Sequence, residues 1–499
     1  MDYLEKINKF ILGIIILLLA VVVLGTINYP GNKLCYILFS FCFLGLFGLG
    51  FTKRSFFFDT FLGGMMLLGF WSKLSFFLIS GFQHTGEAVG FFNFSGQHFD
   101  NALMVASIGA LGFISARLIR PYLMNYSQLK LQKNYGEIVT RFYSKYKKEI
   151  LICFTVFYLL IGISNLLLGI YQRGMASQTV LPLKLNSVYT WLLLFGLTSF
   201  SCTILLQEFK IYKTITKSVV IVIILELFSS TLSILSRGMI LLFGALLLGG
   251  WMLTTKLNIK LTLKKISFIS FVFISFFFLS LTLTQYLRLK VFYNPTVITS
   301  SRAEGVWKTL NSNLKVYKGT SSYVENMIQG LFINRWVGLE GVMSVSAYPK
   351  TSWELFKESL SEKRVLNGTS FYDRVVTSSH YSTAVKAQNT SHITLPGLIG
   401  YLYYTGSYVF LFVATFLLGL LGATIDWLSY YLSNSNPFFA SLMGFIVASR
   451  YIHFGFAPQR SYLLFGAILM NIFLIYLISG KSKTGNSLLN KLVEKAPLE

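Results

Sequence analysis

The chain alternates long apolar runs with short polar punctuation over most of its length. Runs such as FILGIIILLLAVVVLGTI (10–27) and VVIVIILELFSSTLSILS (219–236) continue for about 18 residues, the length at which a helix crosses a hydrocarbon core of about 30 Å. The pattern predicts twelve membrane-spanning helices, near 10–27, 34–51, 57–80, 101–118, 150–170, 186–206, 219–236, 239–255, 266–287, 407–431, 437–454 and 462–479. One globular core could not bury so many continuous apolar runs, which excludes a soluble protein. The first run follows a charged start, as a signal peptide would, but no small-residue cleavage site precedes NYPGNK, so it is expected to be a span.

One polar interval breaks the rhythm. Residues 288–394 contain no run long enough to span, whereas the other connections on the same side are short. The chain therefore divides into 1–287 with spans one to nine, the segment 288–394, and 395–499 with the last three spans and a tail. A loop of such length is usually functional or an inserted domain. Helical spacing of apolar residues recurs within it at 331–345 and 353–366, the second with exposed Glu and Lys pairs that suit a solvated cover. LPGLIGYLYYTG (395–406) follows, and its Pro and Gly punctuation suits a re-entrant or interfacial helix; an earlier start of span ten is the alternative.

Composition agrees: 54% of residues are hydrophobic and 12% charged, against about 25% charged in soluble domains. The net charge of +24 invites a nucleic-acid reading, but position removes it. More than half of the 43 basic residues lie in alternate short connections and the two termini. That is the positive-inside pattern, with both termini cytoplasmic and 288–394 outside; no nucleic-acid partner is needed. All four cysteines fall inside predicted spans, which disfavours a disulfide framework.

Charges inside spans are costly and tend to mark function. Glu226, Ser230, Ser233 and Arg237 follow one another at helical spacing, which places them on one stripe facing the bundle interior. A polar seam between helices is the alternative reading for Glu226 and the serines. In ASRYIHFGFAPQR, Arg450 and His453 share a face near the outer surface, with Arg460 after the turn; snorkelling to the interface is the plainer alternative. INRWVGLEGVMSVSAYPK (333–350) sets Arg335 and Glu340 in an apolar helical pattern, as either a packed surface helix or the lip of a site. Arg302, Arg364 and Arg374 add to the cations of the large segment. Guanidinium groups bind phosphate bidentately, so such a cluster suits a pyrophosphate. Trp307, Trp336, Trp353, Tyr348, Tyr372 and Tyr381 suit packing on sugar faces, with an ordinary core or interfacial belt as the alternative.

Twelve predicted spans, cytoplasmic termini, a dominant external loop between spans nine and ten, and Ser236–Gly238 (SRG) in a membrane hairpin together resemble the bacterial oligosaccharide repeat-unit polymerases and O-antigen ligases. These form a superfamily of lipid-dependent glycosyltransferases. The resemblance implies an all-α polytopic membrane protein of glycosyltransferase C-like fold in the bacterial inner membrane, its site facing the periplasm. It implies an undecaprenyl-pyrophosphate-linked oligosaccharide as donor and acceptor, no cofactor and no metal, and it allows a chain-length regulator as a further partner. Arg237, Arg335, Arg302, Arg450 and Arg460 are then the candidates for holding the pyrophosphate, and His392, Glu340 and His380 for the general base. HTGEAVGFFNFSGQHFD (84–100) offers His84, Glu87, His98 and Asp100, but at no defined metal spacing. A ligase acting on lipid A core shares the donor. A flippase for the same lipid is the rival from another class, expected to show two similar halves and short loops.

The topology is directly testable. A reporter active only outside the cytoplasm should be active when fused within 288–394 and silent when fused within 121–149; the reverse result overturns the orientation.

Overall fold

The computed structural model describes residues 2–52, 55–81, 88–123, 137–173, 177–236, 238, 241–256, 263–292, 336–363, 369–378 and 393–479. The fold is all-helical, with no strand among the described residues. A helix lies at each of the twelve apolar segments. They are α1 (Asp2–Asn28), α2 (Lys33–Leu49), α3 (Phe57–Ser80), α4 (Gly96–Leu123), α6 (Lys147–Leu168), α7 (Pro182–Tyr212), α8 (Lys217–Ser233), α9 (Leu241–Lys256), α10 (Leu263–Phe292), α14 (Tyr408–Leu432), α15 (Pro437–Ile452) and α16 (Ser461–Ile478). Among them α3, α4, α6, α7, α14 and α16 are long and apolar enough to cross a membrane. The described residues also form the shorter α-helices α5 (Glu137–Lys145), α11 (Leu339–Ser346), α12 (Trp353–Leu360) and α13 (Gly397–Leu402).

Burial sorts these helices into layers. The apolar stretches of α4 and α7 are 61% buried, whereas those of α6 and α16 are 22% buried and present Leu, Ile and Phe outward. Outward apolar surface is the expected face toward lipid tails. Helix α15 is buried along nearly its whole length, packed by α3, α9 and α14. Small residues permit this: a Cβ on Gly444 would stand 2.7 Å from the Phe58 backbone nitrogen. Backbones that close give helices van der Waals contact where lipid offers no hydrophobic drive.

At the end of the bundle that carries the N-termini of α3 and α15, the buried charges are matched. Asp59 receives a two-armed contact from Arg120 and lies 3.5 Å from Arg117 Nε. Its Oδ2 also accepts the Phe56 backbone N–H at 2.8 Å. Asp426 from α14 accepts the Phe58 N–H at 2.7 Å, so α3, α4 and α14 are locked at one level.

The segment after α10 does not stay on the surface. Helix α11 is buried on every side, wedged among α3, α4 and α13. Its N-cap, Gly338, has φ +151 and lies against the Phe70 ring, a position open only to glycine. Gly341 passes the Pro396 carbonyl so closely that a Cβ there would be 2.1 Å from its oxygen. The charge in α11 is answered from α3: Glu340 forms a buried ion pair with Lys73, whose Nζ also donates to the Trp336 carbonyl at 3.1 Å. Lys73 follows a π-helical stretch, Leu67–Ser72, whose Gly69 lets the Val337 carbonyl approach. The stretch 339–345 is thus neither surface helix nor lip but a plug. Helix α12 matches the expected cover at Trp353–Leu360, with only Leu355 and Ser359 fully buried, and α13 is the buried helix that LPGLIGYLYYTG forms.

Removing one member of a buried pair leaves an uncompensated charge, at a cost of about 3–5 kcal/mol. Lys73→Met should lower thermal stability in detergent by that amount, and the double variant Lys73→Met/Glu340→Leu should recover much of it. A single variant as stable as the wild type would show that the pair does not hold α11.

Candidate functional site

The opposite end of α15 carries cations of a different kind. Arg450 sits in its last turn and His453 caps it. The Arg450 guanidinium donates from Nη2 to Ser461 Oγ at 2.9 Å and, more weakly, from Nη1 to the His453 carbonyl at 3.5 Å. Its Cζ lies 5.3 Å from the Phe454 ring centroid, and its Nε is buried with no hydrogen-bond partner among the described residues. Among the described residues no carboxylate is bonded to it. What stands within electrostatic reach of both Arg450 and His453 is another cation, Arg173.

Arg173 is delivered by the turn after α6, and that turn is tightly held. Asn165, fully buried, donates to the carbonyls of Tyr171 and Ser233 and to Ser233 Oγ, and accepts the Tyr171 N–H at 2.8 Å. The Arg173 N–H donates to the Ile234 carbonyl at 3.0 Å and its Nη1 to Ser236 Oγ at 3.1 Å. Ser236 and Gly238, the neighbours of Arg237 in the chain, both lie beside this guanidinium. The SRG motif, the end of α15 and the start of α16 therefore meet around Arg173 and Arg450.

The large segment reaches the same place. Glu362 accepts the Phe371 N–H on one oxygen and the Ala457 N–H on the other, the latter at 2.9 Å. Tyr401 of α13 stacks edge-on to Phe454, centroids 5.0 Å apart, and accepts a hydrogen bond from Ser359 at 3.1 Å. Nearby, Asp373 binds Ser370 Oγ at 2.7 Å and receives both the N–H and the hydroxyl of Thr394.

The residues singled out from sequence divide as follows. Arg450 is at the cluster, and Arg460 ends the 3₁₀ turn Pro458–Arg460 just before Ser461; its side chain is outside the described residues. Arg237, Arg302, Arg335, Arg364, His380 and His392 also lie outside them, as do His84, Glu87, Trp307 and Tyr381. Glu340 is not at the cluster but in the ion pair with Lys73. Glu226, Ser230 and Ser233 are buried on α8, and Glu226 accepts from Thr198, Ser201 and Ser230 at 3.2–3.3 Å, a polar seam with α7. Asp100 accepts from Tyr29 and from the Asn32 N–H, and His98 Nδ1 from the Asn93 N–H. Tyr372 is fully buried and bonded to Ser344, Trp353 packs on Phe410 at 4.8 Å, Tyr348 lies against Phe91, and Trp336 packs at the edge of the core. These are core and interfacial contacts. Arg374 is exposed within electrostatic reach of Glu362.

Sequence reasoning missed Arg173, Lys73, Asn165 and Glu362. Arg173 carried a signal, because in the predicted orientation it is a basic residue on a short outer loop, against the positive-inside pattern. Lys73 carried another, as a charge in the middle of an apolar run. No family model, curated protein or solved structure matches the chain.

Among the described residues Arg450 bonds only uncharged groups, and a guanidinium of that kind is suited to a phosphate. Inorganic pyrophosphate at about 100 times its Kd should stabilise the wild type by about 2.7 kcal/mol, read as a rise in Tm in detergent, and should stabilise Arg450→Gln far less. Equal rises in the two proteins would remove Arg450 from the binding site.

Proposed function

We propose that the protein is a lipid-dependent glycosyltransferase of the bacterial inner membrane that polymerises undecaprenyl-pyrophosphate-linked oligosaccharide repeat units on the periplasmic face. The observation that carries this reading is the meeting of Arg173, Arg450 and His453 at the end of the bundle where the large polar segment docks. The twelve-span topology, the glycosyltransferase C-like architecture and cytoplasmic termini belong to the same proposal, supported by the apolar helices and the distribution of Lys and Arg.

In this reading a hydroxyl of one lipid-linked repeat attacks the anomeric carbon of the reducing-end sugar on the other chain. The new glycosidic bond forms as the bond from that carbon to the pyrophosphate oxygen breaks, and the leaving group takes the electron pair. Negative charge grows on the pyrophosphate, and fixed guanidinium groups stabilise it without reorganising. Arg237, Arg460, Arg302 and Arg335 are the further candidates in this proposal for holding the pyrophosphate. The hydroxyl proton needs an acceptor. Our candidate is His453: its Nδ1 faces the Ser449 carbonyl at 2.9 Å, and with the proton on that nitrogen of the neutral ring the Nε2 lone pair is the base. His392 and His380 remain alternatives. Glu340, 1% exposed and paired with Lys73, serves the architecture.

Purified protein given lipid-linked repeat units in micelles, with chelator and without nucleotide sugar or ATP, should lengthen the glycans. Arg450→Ala and Arg237→Ala should abolish growth, and Lys at either position should restore only part, lacking the two-armed contact. A flippase would leave chain length unchanged, and a ligase would do so until lipid A core was added. Growth only with an added divalent ion would overturn the arginine-based mechanism.

A further inference from the structure

Arg450 stands within electrostatic reach of Arg173, and the turn after α15 is what holds it there. The turn that follows Arg450 is strained: Gly455 has φ +118 and Ala457 has φ +42. Alanine in the left-handed region costs free energy and persists only where its surroundings impose it. The Ala457 N–H finds its acceptor in Glu362, at 2.9 Å, and the other oxygen of the same carboxylate takes the Phe371 N–H. One side chain thus ties the turn to two parts of the large segment. Between Ala457 and Arg450 lies Phe454, whose ring stacks with the guanidinium and rests against Tyr401.

We propose that Glu362 is a positioning residue, through which the large polar segment sets the Arg450–Phe454 pair in the geometry that binds pyrophosphate. This rests on the phosphate-binding reading of the arginine cluster. Glu362 acts through the turn, not on the ligand. Its two acceptor oxygens are both needed, since each takes one backbone donor.

A carboxamide is nearly the same size but replaces one acceptor with a donor, and it would face a backbone N–H with an N–H. Inorganic pyrophosphate should therefore bind Glu362→Gln about ten-fold more weakly than the wild type at neutral pH, about what one hydrogen bond to a charged group contributes. The ratio of the two Kd values supplies a signature that lost stability alone would not. Burial pushes the Glu362 carboxyl above its ordinary range, against the pull of its two N–H donors and of Arg374, with Asp373 acting in the same sense as burial; Tyr401 and Tyr404 are the other titratable groups facing it. As pH falls through that titration the wild type loses an acceptor and comes to resemble the variant. The ratio should approach one in acid, while protonation of pyrophosphate and of His453 affects both proteins and cancels.

The measurement is calorimetric titration of the full-length proteins in detergent, with Thr394→Val as a variant that loosens the same segment without touching the turn. Thr394→Val should bind as the wild type does. If Glu362→Gln does not fold, Glu362→Asp, which keeps the charge but shortens the reach, should show the same weakening. Equal affinities of wild type and Glu362 variants at neutral pH, a ratio independent of pH, or weakening by Thr394→Val equal to that by Glu362→Gln would overturn the inference while leaving the phosphate site standing. No pyrophosphate binding by the wild type would overturn both.

Discussion

The ion pair between Lys73 and Glu340 is the constraint on which the half of the bundle that receives α11 depends. An isolated charge in an apolar bundle is prohibitively expensive, so each of these two side chains requires the other. Meeting that requirement brings α11 down among the long helices, together with the Trp336 carbonyl that Lys73 also holds. Once α11 is seated, Gly341 and Pro396 fix where α13 must cross it. Tyr401 of α13 then meets Phe454, and the turn after α15 is placed. The chain of contacts runs from one buried pair to Arg450, more than a hundred residues after Glu340.

The two ends of the bundle treat charge in opposite ways. Around Asp59 each buried guanidinium meets a carboxylate, and the result is an immobile joint of α3, α4 and α14. Around Arg450 the guanidinium meets, among the described residues, a hydroxyl, a carbonyl and, within electrostatic reach, a second arginine. The first arrangement neutralises charge within itself. The second is held by hydrogen bonds to uncharged groups, and Asn165 fixes the turn that carries Arg173.

Much of this was legible in the sequence. Apolar run length located the helices, because in lipid every backbone group must be satisfied within its own helix and no other solution competes. The stripe of Glu226, Ser230 and Ser233 was likewise visible as periodicity. The burial of 339–345 was not, since an apolar eight-residue helix reads the same on a surface and in a bundle; only the partner on α3 decides. Glu340 looked like a base for the same reason, its ion pair being with a residue 267 positions earlier. Arg450 was found because charge at a helix end is a local signal. Glu362 was not, because it lies in a charged cover helix pattern and its partners are backbone N–H groups, which any residue could supply.

The π-helical stretch Leu67–Ser72 lets α3 carry one residue more than a regular helix would. An α-helix turns about 100° per residue, and the wide turn absorbs the extra residue without passing that rotation on. A chain shortened by one residue inside the stretch would close into regular helix with Lys73 still facing α11. A residue removed from the regular helix before it would instead turn everything beyond by about 100°, and Lys73 would point away from α11. The wide turn is thus the one place in α3 where length is forgiven, and the phase of the helix around it joins the bundle to the segment folded into it.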